Sequence, residues 1–318
     1  MTTTIGNNIA SSSTTNTTNT TTTTHTNVEY SSYGMVKRNE FYENNNNKFF
    51  QRVVSITSLP CTVRNPKIVG GSEAERNEMP FMVSLMRRGG HFCGGTIIHE
   101  RWILTAGHCI CNGLQKFMKP AQIQGVVGLH SIREYLNGIG NGPDALRVDF
   151  KQIVPHPQYD CNSVKHDIAL LELIQPISFT SHIQPSCVSS DKGPRSLEQE
   201  YGTVSGWGWT HENQAEGDRA DVLRKATVKI WNNEACEQSY RALGKSNSIG
   251  ETQLCAGYEN GQIDSCWADS GGPLMSKEHH LVGVVSTGIG CARPGLPGIY
   301  TRVSKYVPWL QNVISGRG

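Results

Sequence analysis

Ser270 stands in the stretch Asp264-Ser265-Cys266-Trp267-Ala268-Asp269-Ser270-Gly271-Gly272-Pro273-Leu274. Two glycines after the hydroxyl let the backbone turn tightly around it. A plain surface turn would have the same composition, with Asp and Ser bonding locally. The hydroxyl becomes a nucleophile only beside a base, and an imidazole base needs a group that orients it. Leu104-Thr105-Ala106-Gly107-His108-Cys109 offers the base, at the end of a strand-like run and next to a cysteine that could pin it. His166-Asp167-Ile168-Ala169-Leu170-Leu171 offers the orienter. An acid followed at once by an apolar run belongs at a strand entrance, partly buried, where its carboxylate needs a donor such as a ring N–H. Taken singly, His108 could be structural and Asp167 a turn residue. Together the three read His, Asp, Ser along the chain, one of the orders in which a nucleophile, base and orienter recur. The chemistry within their reach is acyl transfer through an ester on Ser270.

The elements that must position them are short. From Cys61 onward, runs rich in Val, Ile, Thr and Trp alternate with Gly, Pro and Asn. Strands are predicted at Phe81–Leu85, Gly95–Ile98, Trp102–Thr105, Ile168–Leu173, Thr203–Trp207, Ala226–Ile230 and Leu281–Ser286. Many short strands over about 250 residues make an all-β barrel or sandwich. Val303, Tyr306, Val307, Leu310 and Val313 recur at helical spacing, which predicts a terminal helix over Ser304–Ile314 with Pro308 near its first turn.

The 318 residues carry 29 basic and 27 acidic side chains, a net charge of +2. Charge therefore argues for neither a nucleic-acid partner nor a membrane surface, and no apolar run reaches the roughly 18 residues that span a bilayer. Residues 1–60 are dominated by Thr, Asn and Ser and cannot bury enough apolar surface to offset their ordering, which predicts a disordered tail. Phe49–Leu59 is more apolar and could form a short strand or helix. Asn16 and Asn19 lie in glycosylation sequons, which matter only if the segment is secreted. The 10 cysteines lie from Cys61 onward without zinc-ligand spacing, so a disulfide framework in an oxidising compartment is expected, with no metal and no cofactor. Met1 is followed by Thr-Thr-Thr-Ile-Gly without the apolar core of a secretory signal. The chain is thus expected to be secreted, with a true amino terminus upstream.

From Ile68 to the end the chain resembles trypsin-like serine proteases of the chymotrypsin family, and Cys61–Lys67 resembles the end of their propeptide. The resemblance implies two six-stranded antiparallel β-barrels with the active site between them and a short C-terminal helix. It divides the chain into the tail 1–60, the propeptide end 61–67 and a protease domain 68–318. It makes His108, Asp167 and Ser270 the catalytic residues and the backbones of Ala268 and Ser270 the oxyanion donors. Lys67-Ile68-Val69-Gly70-Gly71 resembles the family's activation site. A cut after Lys67 would free the Ile68 amine to pair with Asp269, by a protease that accepts basic residues. Asp264 matches the floor of the primary specificity pocket, with Ser265 beside it and Ser286, Gly288 and Gly298 along its walls. The implied partners are protein substrates with Arg or Lys before the cleaved bond, an activating protease and protease inhibitors.

The family pattern also implies the bridges Cys61–Cys187, Cys93–Cys109, Cys236–Cys255 and Cys266–Cys291. Cys111 and Cys161 match no common family pair, and a bridge between them would clamp the histidine and aspartate loops. Four residues depart from the pattern: Ala268 for glycine, Trp267 for glutamine, Thr287 for tryptophan, and Gly107 for alanine, the last expected to matter little. These departures leave a second reading open, a weakly active or non-catalytic homologue acting as a binding partner or cascade cofactor.

Overall fold

The computed structural model describes residues 24–30, 36–43, 49–51, 56, 61, 71–138, 145–162, 164–188, 197–209, 218–245, 248–258, 260–261, 269–289 and 293–316. The chain divides into two units, Met1–Val54 and Ser55–Gly318. In the first, β1 (Thr24–Tyr30), β2 (Val36–Glu43) and β3 (Phe49–Gln51) pair as an antiparallel sheet. These strands lie within the stretch whose composition predicts disorder, and β3 opens the more apolar run at Phe49–Leu59. The sequons at Asn16 and Asn19 lie outside the described residues.

The second unit holds two closed six-stranded antiparallel barrels. After the short β4 (Ser72–Glu73), the first barrel is built from β5 (Met82–Arg87), β6 (Gly90–His99), β7 (Trp102–Thr105), β8 (Gln124–Val127), β9 (Leu146–Pro155) and β10 (Ala169–Leu173). They close in the order β10-β7-β6-β5-β8-β9. Val83, Leu85, Ile97, Ile103, Leu104, Val126 and Leu171 lie in its core cluster. The second barrel follows β11 (Cys187–Val188) and uses β12 (Tyr201–Gly206), β13 (Arg224–Trp231), β14 (Gln253–Gly257), β15 (Pro273–Ser276), β16 (His280–Thr287) and β17 (Gly298–Arg302). Along β13 the side chains of Ala226, Val228 and Ile230 turn inward, while Thr227, Lys229 and Trp231 are less buried, the period of two that one covered face requires. A second core cluster joins Val204, Val228, Ile230, Leu254 and Tyr300.

Helices are few. α1 (Ile132–Leu136) is capped by Ser131, whose hydroxyl accepts from Glu134 N. α2 (Asn233–Ala242) is capped by Asn232, which accepts from Glu234 N and Ala235 N. Only Cys236 and Tyr240 of α2 are buried, one turn apart, so its sequence carries little helical periodicity. The terminal helix α3 spans Val307–Ile314 after a 3₁₀ turn at Val303–Tyr306. It starts later than the spacing predicts because Pro308 lacks an N–H and must sit in the first turn.

Four disulfides lie among the described residues: Cys61–Cys187, Cys93–Cys109, Cys111–Cys161 and Cys236–Cys255. The Cα atoms of Cys111 and Cys161 are 5.8 Å apart, within the span of a disulfide. Cys266 and Cys291 lie outside the described residues.

The barrels meet on a seam of glycines. Gly94 N on β6 donates to Ser270 O at 2.8 Å, and a Cβ on Gly94 would stand 3.0 Å from the backbone of Gly272. Gly271 has φ +80, and a Cβ there would lie 2.2 Å from Thr105 Oγ1 and 2.5 Å from Gly94 O. Gly244 has φ +73 with nothing within 4 Å of such an atom. Gly271→Ala is therefore expected to cost about 2–4 kcal/mol, backbone strain plus overpacking, and Gly244→Ala only the strain of about 1–2 kcal/mol. Urea unfolding of the two variants checks the difference, and equal losses would contradict the seam.

Candidate active site

β7 ends at Thr105, and the chain turns through Ala106 and Gly107 into one turn of 3₁₀ helix, His108–Ile110. The Cys93–Cys109 bridge ties that turn back to β6. On the adjoining strand, Asp167 lies just before β10 and is 3% exposed. β10 pairs with β7, Ala169 opposite Thr105, which brings the two residues together at the same barrel end.

The Asp167 carboxylate accepts three described hydrogen bonds. Oδ1 takes the backbone N–H of His108 at 2.8 Å. Oδ2 takes His108 Nδ1 at 2.8 Å and the Ser286 hydroxyl at 2.5 Å. Thr301 Oγ1 on β17 also donates, to Asp167 O at 2.8 Å. An aspartate at the edge of the first barrel is thus held by side chains from two strands of the second. Ser286, placed by resemblance along the pocket wall, reaches Asp167 as well. Thr301 carries no sequence signal of its own beyond its place in a β-rich run.

Burial pushes the Asp167 carboxyl up. The His108 charge, the His108 and Ser286 hydrogen bonds and the His108 backbone N–H outweigh it and hold the group below its usual range. Burial likewise pushes His108 down, but the Asp167 charge and hydrogen bond raise it above an ordinary histidine. An ionised carboxylate only accepts. His108 Nδ1 must therefore donate, and the neutral ring carries its lone pair on Nε2.

The Cys109 sulfur lies 3.8 Å from Nε2 and 3.5 Å from Ser270 O, so His108 and the Ser270 backbone flank one atom. No hydrogen bond joins the Ser270 and His108 side chains among the described residues, and such bonds commonly tighten only with substrate bound. Cys93, Cys109 and His108 converge closely enough to suggest a metal set. Both sulfurs are spent in the disulfide, which leaves no thiolate to ligate.

Asp269 turns away from this group. Its Oδ1 accepts from Gly208 N at 2.8 Å, and a Cβ on Gly206 would stand 2.1 Å from the same oxygen. Glycine at both positions makes the room for this carboxylate. Gly288 follows β16 and Gly298 opens β17, which pairs with β16 through Thr287 and Ile299. These two glycines and Ser286 therefore lie at adjoining strand ends. Lys67, Ile68, Asp264, Ser265, Trp267 and Ala268 lie outside the described residues.

One departure matters more than its sequence suggests. A Cβ on Gly107 would stand 2.6 Å from two ring carbons of Tyr159. The space that an alanine methyl would need is filled, a contact between loops far apart in sequence that no local pattern announces.

The model of the family described as Trypsin matches residues 68–310. "Transmembrane protease serine 9" of Rattus norvegicus is 37% identical over 253 residues, covering 78% of this chain and 22% of that protein. "Serine proteinase stubble" of Drosophila melanogaster is 37% identical over 257 residues, covering 77% of this chain and 30% of that protein. The chain thus spans less than a third of either relative. Two barrels joined at a buried aspartate, and a family match across both of them, place this chain in the trypsin family of serine proteases.

Proposed function

We propose that the chain is a secreted zymogen serine endopeptidase that hydrolyses peptide bonds after Arg or Lys. The observation that carries this reading is the His108–Asp167 pair, whose bonds leave Nε2 as the basic nitrogen on the side of Ser270. His108 takes the Ser270 proton as Oγ attacks the substrate carbonyl carbon. The tetrahedral intermediate collapses, the amine leaves with the proton from His108, and an ester remains on Ser270. Water, deprotonated by His108, then attacks the ester carbonyl, and His108 gives that proton to Ser270 Oγ as the ester bond breaks. Asp167 stays ionised throughout and stabilises the imidazolium. The backbone N–H groups of Ala268 and Ser270 receive the oxyanion, where a single donor is worth about 3–4 kcal/mol.

Asp264 and Ser265 take the substrate's basic side chain, with Ser286, Gly288 and Gly298 along the wall. Protease domain 68–318 begins at a switch. A cut after Lys67 by a protease accepting basic residues frees the Ile68 amine for Asp269. The carboxylate is half-buried against Gly206 and Gly208, which supports the switch, because a cation stabilises a partly desolvated charge. The implied partners are protein substrates, the activating protease and protease inhibitors. Cys61–Cys187 would keep the propeptide end attached after the cut.

Cutting the purified chain after Lys67 should release hydrolysis of Arg and Lys peptide substrates. Ser270→Ala should lower kcat at least about a thousandfold. Equal rates in the two proteins would leave the non-catalytic homologue as the better reading, and cleavage after aromatic residues would remove Asp264 from its role.

The pH profile has a definite sign. His108 must be neutral to act as base, and its pKa lies above the ordinary 6.5. Hence kcat/KM should fall as pH drops through that raised value, nearer neutrality than for an ordinary histidine. Asp167→Asn removes the charge that raises it and keeps the burial that lowers it. The acid limb of the residual activity should therefore move to lower pH, and an unmoved limb would contradict the pairing.

A further inference from the structure

Gly107 immediately precedes His108, and the Tyr159 ring fills its missing side chain. A Cβ there would stand 2.6 Å from two ring carbons and 2.9 Å from a third. Tyr159 is 5% exposed and is held from several directions. Its N–H donates to His156 O at 2.9 Å, and its hydroxyl lies 3.7 Å from Cys111 Sγ. The Phe117 ring is tilted against it with centroids 6.3 Å apart. Cys111 is bonded to Cys161, two residues beyond Tyr159. The Cys111 sulfur also touches Gly107 O at 3.6 Å, and Cys111 N donates to His108 O at 3.2 Å. Ring and bridge thus enclose the single 3₁₀ turn on which His108 stands.

A turn of three residues has poor internal hydrogen bonding and takes its shape from what packs on it. The His108 side chain is 36% exposed, so surrounding side chains alone do not set its direction. The Nδ1 bond to Asp167 holds one edge of the ring, and the backbone N–H bond ties a single point of the turn. The backbone beneath must be fixed as well if Nε2 is to meet Ser270 at one angle. We propose that Tyr159 is a positioning residue for His108: its ring, docked in the space left by Gly107 and backed by the Cys111–Cys161 bridge, sets the angle at which the imidazole meets Ser270. This rests on the reading of His108 and Ser270 under "Proposed function". Burial and then the Asp167 charge push the Tyr159 phenol well above its ordinary range. The residue therefore stays neutral and acts by shape.

Size at 107 and size at 159 are then complementary, which four variants of the Lys67-cut chain test: Gly107→Ala, Tyr159→Ala, the two combined, and Tyr159→Phe. A shift of about 1 Å at a reacting group can cost on the order of 100-fold. Each single alanine variant should therefore lower kcat by about 10- to 100-fold with KM within about twofold. The combined variant should be no worse than Tyr159→Ala, because the methyl then has room, and Tyr159→Phe should restore most of the rate by keeping the ring. If Tyr159→Ala fails to fold, Tyr159→Leu takes its place. A second readout needs no activity: the NMR signal of the His108 Nδ1–H bonded to Asp167, recorded in the uncut Ser270→Ala chain. It should shift and broaden with Gly107→Ala, and in the combined variant it should match the signal of Tyr159→Ala alone. Additive losses in kcat, or an unmoved His108 signal in Gly107→Ala, would overturn the proposal. If the wild type hydrolyses no faster than Ser270→Ala, the peptidase reading fails, and the His108 signal alone decides on Tyr159.

Discussion

A buried carboxylate governs this structure. Asp167 is 3% exposed, and an unpaired charge at that depth costs several kcal/mol. Two His108 donors and the Ser286 hydroxyl remove that cost. They also constrain the fold. The strand carrying Asp167 must lie beside the one leading to His108, and the end of β16 must reach across from the other barrel. Because the carboxylate stays ionised, it dictates which imidazole nitrogen carries the proton. One electrostatic requirement links the packing of two barrels to the chemistry of one ring.

The seam between the barrels is the second constraint, and it is steric. Gly94, Gly271 and Gly272 let two backbones approach within hydrogen-bond distance around Ser270. Gly206 and Gly208 make room for the neighbouring Asp269 carboxylate. A side chain at any of these positions would collide with backbone or with a charged group, so the serine is presented where small residues permit contact. The loop at Gly107 follows the same logic, except that there an aromatic ring occupies the vacated space.

What the sequence reveals about this fold follows from how local each cause is. β7, β10 and β16 are short apolar runs bounded by turn residues, and their identity is visible residue by residue. β9 is not, because it alternates exposed charges with a few buried residues such as Val148 and Phe150. α2 is hidden because disulfide Cys236–Cys255 and the bond from Tyr240 to Pro297 O do the work of an apolar stripe. At the site, His108 and Asp167 are legible from their neighbours and their chain order. The Ser286 hydroxyl on Asp167, the Thr301 bond to its backbone and the fit of Tyr159 into Gly107 are tertiary contacts between distant segments. No spacing encodes them.

The central claim is that Asp167 and His108 make Ser270 the one activated hydroxyl in the chain. Treating the Lys67-cut protein with a fluorophosphonate ester and locating the adduct by mass spectrometry tests it directly. The account predicts a single covalent adduct, on Ser270, that vanishes in His108→Ala. Absence of any adduct, attachment at another residue, or undiminished labelling without His108 would contradict it.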